Sequence, residues 1–220
     1  MERFSARTPS FRGAIFDLDG TLLDSTWVWR QIDVDFLAAR GFEVPDDYVD
    51  AIAPMGFYDV ALYTIDRFAL DETPEHLIGD WNRMAMELYR DTVKLKPGAK
   101  EYLQALKQKG VRLAVATLAH PDLFEPTLRR EGVWELFDAF TLSGEVTRGK
   151  EAPDLWLLAA EKLGVAAENC VVFEDVPAAM QGAASAGMAV CGVRDPHSDT
   201  TDALERGLCR LLIDDFTCLL

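Results

Sequence analysis

GAIFDLDGTLLDS, residues 13–25, contains the change of character on which the fold turns. A short apolar run from Gly13 to Phe16 ends at Asp17, and Asp19 follows two places later. Alternate side chains of an extended chain share a side, so the two carboxylates are expected to point roughly the same way. Paired carboxylates repel, and burying them without a cation is costly; such a pair suits a divalent metal or a shared proton. Gly20 permits a sharp turn, and Thr21 carries a hydroxyl able to cap what comes next. An Asp-Gly turn by itself is commonplace. What gives this one weight is what stands at the other strand ends.

Runs of the same kind recur at Val111–Ala116, Cys170–Phe173 and Met188–Cys191, with weaker ones at Phe140–Leu142 and Leu211–Ile213. They alternate with helical patterns. One opens at Pro97 and closes at Gly110; another opens at Pro153 and closes at Gly164, in keeping with proline at helix starts and glycine past their ends. Continuous apolar strands alternating with helices predict an α/β fold built on a doubly wound parallel sheet. One interval breaks the rhythm. Between Asp19 and Val111 there is far more chain than one crossover helix requires. Its pattern is helical: Val28, Ile32, Phe36 and Ala39 share a face up to Gly41, Leu62, Ile65 and Ala69 form a second, and Thr73-Pro74 begins a third with Ile78, Trp81, Ala85 and Leu88. The expected organisation is a core of residues 1–23 and 91–220 with a helical insert at 24–90, the first dozen residues being a short extension.

The 220 residues carry a formal charge of −15, spread along the chain, which argues against nucleic acid or an anionic membrane as a partner. No apolar run approaches the ~18 residues of a membrane span, and MERFSARTPSFR lacks the apolar stretch of a signal peptide. Cys170, Cys191, Cys209 and Cys218 are widely spaced, suggesting neither a zinc site nor a disulfide framework. A cytoplasmic protein with idle thiols is expected.

Three further polar positions stand at strand ends: Thr117, Lys150 and the pair Glu174-Asp175. Singly, each has an ordinary explanation: a helix cap, a surface charge, an acidic helix start. Together they matter, because ligands of open α/β sheets gather at the carboxyl ends of the strands.

With DLDGTLLDS at the first strand, Ala116-Thr117 at the second, GKEAPD at 149–154 and FEDVPAAMQGAASAGM at 173–188, the chain resembles the haloacid dehalogenase superfamily over nearly its whole length, its phosphoglycolate phosphatase and β-phosphoglucomutase-like branch in particular. The resemblance implies a Rossmann-like core with an inserted α-helical cap. It implies Asp17 as nucleophile, Asp19 as general acid/base, Thr117 and Lys150 on phosphoryl oxygens, and Mg²⁺ held by Asp17, Glu174, Asp175 and the Asp19 carbonyl. The implied activity is hydrolysis of a small phosphorylated metabolite through an aspartyl phosphate, with no protein partner. Leu118 and Ala119 after Thr117, Glu151 after Lys150 and Val176 after Asp175 depart from the usual pattern but remove no principal group. Trp27 and Phe57, with Trp29 and the loop from Pro54, are the candidate substrate contacts of the cap.

Rival readings are weaker. GEVTRGK at 144–150 follows the phosphate-loop pattern until Glu151 replaces the required hydroxyl residue. A receiver domain would be about half as long and lack the insert. Dehalogenase chemistry does not need Asp19, and a cap without lysine closes the imine route of the family phosphonatases. A β-phosphoglucomutase-like phosphotransferase and a non-catalytic scaffold remain as alternatives. Against the mutase stands a cap with no lysine and no histidine before His76.

Overall fold

The computed structural model describes residues 4–7, 9–53 and 55–220. The chain divides into two compact units, Trp27–Thr92 and the combination of Met1–Thr26 with Val93–Leu220.

The unit Trp27–Thr92 contains helices α1 (Val28–Ala38), α2 (Tyr48–Ile52), α3 (Phe57–Phe68) and α4 (Pro74–Asp91). Helix α4 starts as its sequence indicates: Thr73 Oγ1 accepts from the His76 amide, and Pro74 occupies the first turn. It buries Leu77, Trp81, Ala85 and Tyr89, a fourfold spacing, with Ile78 and Leu88 half-buried beside them. Helix α1 buries Val28, Ile32, Phe36 and Leu37, and the Phe36 and Trp81 rings meet edge to face. The face expected on α3 is a correction. Ala61 and Thr64 point inward, Leu62 is exposed, and Ala69 ends the helix in the left-handed conformation. Thr64 is buried at no polar cost, since its hydroxyl donates to the Val60 carbonyl at 2.7 Å and lies 2.7 Å from the Tyr48 hydroxyl. On the surface, Arg40 joins Glu72 (2.6 Å) and Asp80 (3.1 Å), so that acidic cluster already has its cation. Pro54, which the sequence reading placed in a candidate loop, lies outside the described residues.

The larger unit carries strands β1 (Gly13–Phe16), β2 (Leu23–Asp24), β3 (Lys94–Leu95), β4 (Arg112–Thr117), β5 (Ala139–Leu142), β6 (Cys170–Glu174), β7 (Ala189–Val193) and β8 (Leu211–Ile213), with helices α5 (Ala99–Gln108), α6 (Pro121–Arg130), α7 (Asp154–Leu163) and α8 (Pro177–Ser185). Six strands form a sheet in the order β5-β4-β1-β6-β7-β8, every neighbouring pair parallel. This is the doubly wound α/β arrangement expected from the alternating apolar runs. Strands β2 and β3 pair antiparallel where the chain leaves and re-enters the unit. Two residues each are too short to leave a periodic signal.

Both faces of the sheet are covered, which is why its strands are apolar throughout. On one face Ile15, Ala114, Val172 and Val190 pack with Trp156, Leu155 and Met180 of α7 and α8. On the other, Phe16 and Phe173 stack with centroids 4.7 Å apart, joined by Tyr102 and Phe216. The described part of the N-terminal stretch belongs to this second layer, contrary to its reading as an extension. Phe4 and Phe11 are buried, Phe4 meets Phe173 edge to face, and the Tyr102 hydroxyl donates to the Phe4 carbonyl. The Ala6 amide donates to Leu219. Among the described residues no helix is long and apolar enough to cross a membrane.

Candidate active site

Strand β1 lies between β4 and β6, with Phe16 in register with Val115 on one side and Phe173 on the other. The winding direction reverses there, and side chains just past the three strand ends share one crevice. Asp17 follows β1, Thr117 ends β4, and Glu174 ends β6 with Asp175 next. Lys150 arrives from the segment between β5 and α7. All five are buried. Asp17, Asp19, Thr117, Lys150 and Glu174 line a cavity of about 310 Å³, with Leu118, Glu151 and Val176 among its other walls.

The Lys150 ammonium donates to Asp17 Oδ1 and, at 2.9 Å, to Glu174 Oε2. Its placement is over-determined. Trp156 Nε1 donates to the Lys150 carbonyl at 2.9 Å, and the indole ring lies 5.3 Å from Nζ. Helix α8 approaches so closely at Gly182 that a Cβ there would collide with the Lys150 and Ala152 carbonyls. The glycine therefore lets the helix brace the lysine loop.

Carboxylate oxygens of Asp17, Glu174 and Asp175 lie within 4.8 Å of one another. Glu174 Oε1 accepts from the amides of Asp175 (3.0 Å) and Val176 (2.9 Å). Because the Val176 contribution is a main-chain N–H, valine serves there as well as another residue would. Asp175 accepts from Thr21 Oγ1 at 3.0 Å and from Ser198 Oγ. Gly20, at φ 81°, has no room for a Cβ against the Asp175 carboxylate. Asp19 Oδ1 accepts from Ser25 Oγ at 2.7 Å. Thr117 Oγ1 accepts from the Ala119 amide at 3.1 Å, an arrangement that turns its proton away from that amide.

Crowded burial sets the electrostatics. Burial pushes the Asp17 carboxyl well up, against the pull of Lys150, and Glu174, Asp175 and Asp19 push it further. Burial, then Glu174, raise Asp175 to about 7, opposed by the Ser198 and Thr21 hydroxyls. Burial alone would lower Lys150, but Asp17 and Glu174 outweigh it and the net shift is upward. Three acidic groups face one ammonium, leaving a deficit of positive charge. Hard carboxylate oxygens at this spacing fit a small divalent cation such as Mg²⁺.

The sequence-predicted residues Asp17, Asp19, Thr117, Lys150, Glu174 and Asp175 are thus brought to one end of one sheet. Trp27 and Phe57 belong to the other unit: Trp27 stands at the N-cap of α1, and Phe57 lines a cavity with Trp29, Asp33 and Trp81. Sequence reading missed Ser198, Trp156 and Gly182. Thr21 and Ser25 sit inside the quoted motif, but their partners are set by folding, and Ser198 lies in a turn without any motif.

A family model described as haloacid dehalogenase-like hydrolase matches residues 11–187. Fructose-1-phosphate phosphatase YqaB of Escherichia coli is 30% identical over 186 residues, covering 84% of this chain and 97% of that protein. The phosphorylated carbohydrates phosphatase of Thermotoga maritima is 27% identical over 199 residues, covering 90% and 92%. A crystal structure from the same organism, provisionally titled a beta-phosphoglucomutase, superposes with a TM-score of 0.82 at 26% identity, covering 91% and 93%. With the strand-end carboxylates, the buried lysine and these likenesses in agreement, the chain belongs to the haloacid dehalogenase-like hydrolases.

Proposed function

We propose that this enzyme hydrolyses the phosphate ester of a small sugar or related polyol, with Mg²⁺, through an aspartyl phosphate on Asp17. The observation that carries the reading is the buried ammonium of Lys150 bridging Asp17 and Glu174 at adjacent strand ends. That geometry leaves a nucleophilic carboxylate beside a fixed positive charge in a pocket of metabolite-headgroup size. The relatives' names supply the carbohydrate class: fructose-1-phosphate and phosphorylated carbohydrates are what those proteins are named for.

In this mechanism Asp17 attacks phosphorus, the bond to the ester oxygen breaks, and one difficult displacement becomes two easier ones. Asp19 donates a proton to the departing oxygen and later takes one from the water that cleaves the aspartyl phosphate. Ser25 holds the Asp19 carboxylate in place for both steps. Lys150 and the Thr117 hydroxyl bind phosphoryl oxygens, and positioned charge of this kind is the main source of catalysis in phosphoryl transfer. Asp17, Glu174, Asp175 and the Asp19 carbonyl would hold Mg²⁺, which supplies charge compensation to the phosphoryl oxygens when bound. The cation and Lys150 also invert the local field, so an acidic protein can receive an anionic substrate. The helical unit Trp27–Thr92 is the cap of this enzyme, with Trp27 and Phe57 as its candidate substrate contacts.

The test is a panel of sugar, polyol and nucleotide monophosphates, assayed for phosphate release with Mg²⁺ and with chelator. Mg²⁺-dependent release from one or more carbohydrate esters is expected. No release from any ester, p-nitrophenyl phosphate included, would refute the proposal. Supplying β-glucose 1-phosphate with a trace of the bisphosphate separates the mutase alternative: rapid glucose 6-phosphate formation with little free phosphate would favour it.

A further inference from the structure

Asp175 is gripped from two directions. Thr21, in the turn after β1, donates to Oδ1 at 3.0 Å, and Ser198, in the loop after β7, donates to Oδ2. Each carboxylate oxygen offers two lone-pair directions, so one hydroxyl on each leaves a direction on each for a cation. One hydroxyl alone would let the other oxygen swing about the Cβ–Cγ bond. Two hydroxyls hold the plane of the carboxylate.

The loop carrying Ser198 is itself anchored. The Asp195 side chain is wholly buried and accepts from the His197 amide at 3.0 Å, Thr26 Oγ1 at 2.7 Å and Lys96 Nζ at 3.0 Å. Lys96 Nζ also donates to the Arg194 carbonyl at 2.7 Å, and the Ser198 amide to the Asp195 carbonyl at 3.2 Å. Burial would raise the Asp195 carboxyl, but the His197 amide, the Thr26 hydroxyl and Lys96 hold it below the usual range, so it is ionised. Thr26 is the last residue before the chain leaves the α/β unit, and Lys96 follows directly on β3, where it has returned. Asp195 therefore ties one loop to both crossings, and that loop presents Ser198 to the acidic cluster.

We propose that Ser198 is a positioning residue for Asp175 as a cation ligand, mounted by Asp195 through its clamp on Thr26 and Lys96. The proposal rests on the reading of Asp17, Glu174 and Asp175 as the cation site. Groups that orient a ligating carboxylate from behind lower the ordering cost of binding, and their loss typically weakens a metal site by about tenfold or more.

The experiment is calorimetric titration of Mg²⁺ into the full chain, without substrate, for the unsubstituted protein, Ser198→Ala, Ser198→Thr and Asp195→Asn. Thermal midpoints without cation are measured alongside. Ser198→Ala is expected to bind roughly tenfold more weakly, Ser198→Thr to recover most of the affinity, and Asp195→Asn to weaken binding although it leaves every candidate ligand in place. A Ser198→Ala protein with a lowered midpoint but unchanged affinity would show a merely structural hydroxyl and overturn the proposal. Absence of cation binding by the unsubstituted protein would overturn both this proposal and the cation-site reading beneath it.

Discussion

Replacing Lys150 with methionine keeps the length of the stem over the Trp156 ring and deletes the charge. Lys150 is 8% exposed and its ammonium contacts two carboxylates, themselves 8% and 1% exposed. Removing one partner of a buried ion pair typically costs about 3–5 kcal/mol, because the other is left charged and unpaired. The full loss is expected at pH 8 without metal. It should shrink at pH 5 for a reason whose sign can be worked out. Asp17 and Asp175 have folded-state pKa values above those of the unfolded chain. The native state therefore binds more protons, and stability falls as pH rises through the folded values. Without Lys150 to oppose burial, Asp17 shifts further up, so Lys150→Met falls more steeply between pH 5 and 8 than the parent. In the parent the Lys150 ammonium, shifted upward, stays charged across that range. Mg²⁺ should return part of the loss, about 2.7 kcal/mol at a hundredfold excess over its dissociation constant. Urea denaturation at both pH values, with and without Mg²⁺, reads all of this. Parental stability at pH 8, or an equal loss at pH 5 and 8, would refute the reasoning.

Two further substitutions probe other parts of the structure. Asp33 in α1 is half-buried with its carboxyl pushed up to about 6 by burial, so the stability of its protonated form is present below pH ~4 and lost as pH rises through ~6. Asp33→Asn should then stabilise by about 1–2 kcal/mol at pH 8, after discounting for solvent exposure, and by nothing at pH 3.5; denaturation at the two pH values checks it. Gly20→Ala forces a positive φ on alanine and a Cβ against Asp175, so a loss of about 1–3 kcal/mol in thermal or urea unfolding should accompany weaker Mg²⁺ binding. Parental values on both counts would contradict the close approach of that turn to the acidic cluster.

The sheet and the polar residues at its strand ends were legible because both are written locally. A buried parallel strand needs a continuous apolar run, and a polar residue where such a run stops is visible without knowing its neighbours. Asp17, Thr117 and the Glu174-Asp175 pair stand at such stops and Lys150 in the turn between β5 and α7; each is unremarkable singly, and the rule that ligands gather at strand ends brought them together. What escaped depends on partners distant in sequence. The inward face of α3 was misread because Thr64 is polar in isolation and satisfied only through Val60 and Tyr48. The N-terminal stretch looked like an extension because Phe4 and Phe11 are two scattered aromatics, and their burial comes from a layer completed by Phe173 and Tyr102. Ser198 carries no signal at all; its role follows from a loop folded against Asp175 23 positions away.

Asp17 as the attacking carboxylate is the centre of the account, and trapping its phosphorylated form tests it most directly. The protein is mixed with ³²P-labelled p-nitrophenyl phosphate and Mg²⁺, quenched in acid within a turnover, and digested. The account predicts a label on the peptide containing Asp17 that hydroxylamine removes, retained longer in Asp19→Asn and absent from Asp17→Asn. Turnover by the intact protein with no labelled peptide, or steady-state hydrolysis by pure Asp17→Asn at the parental rate, would contradict it.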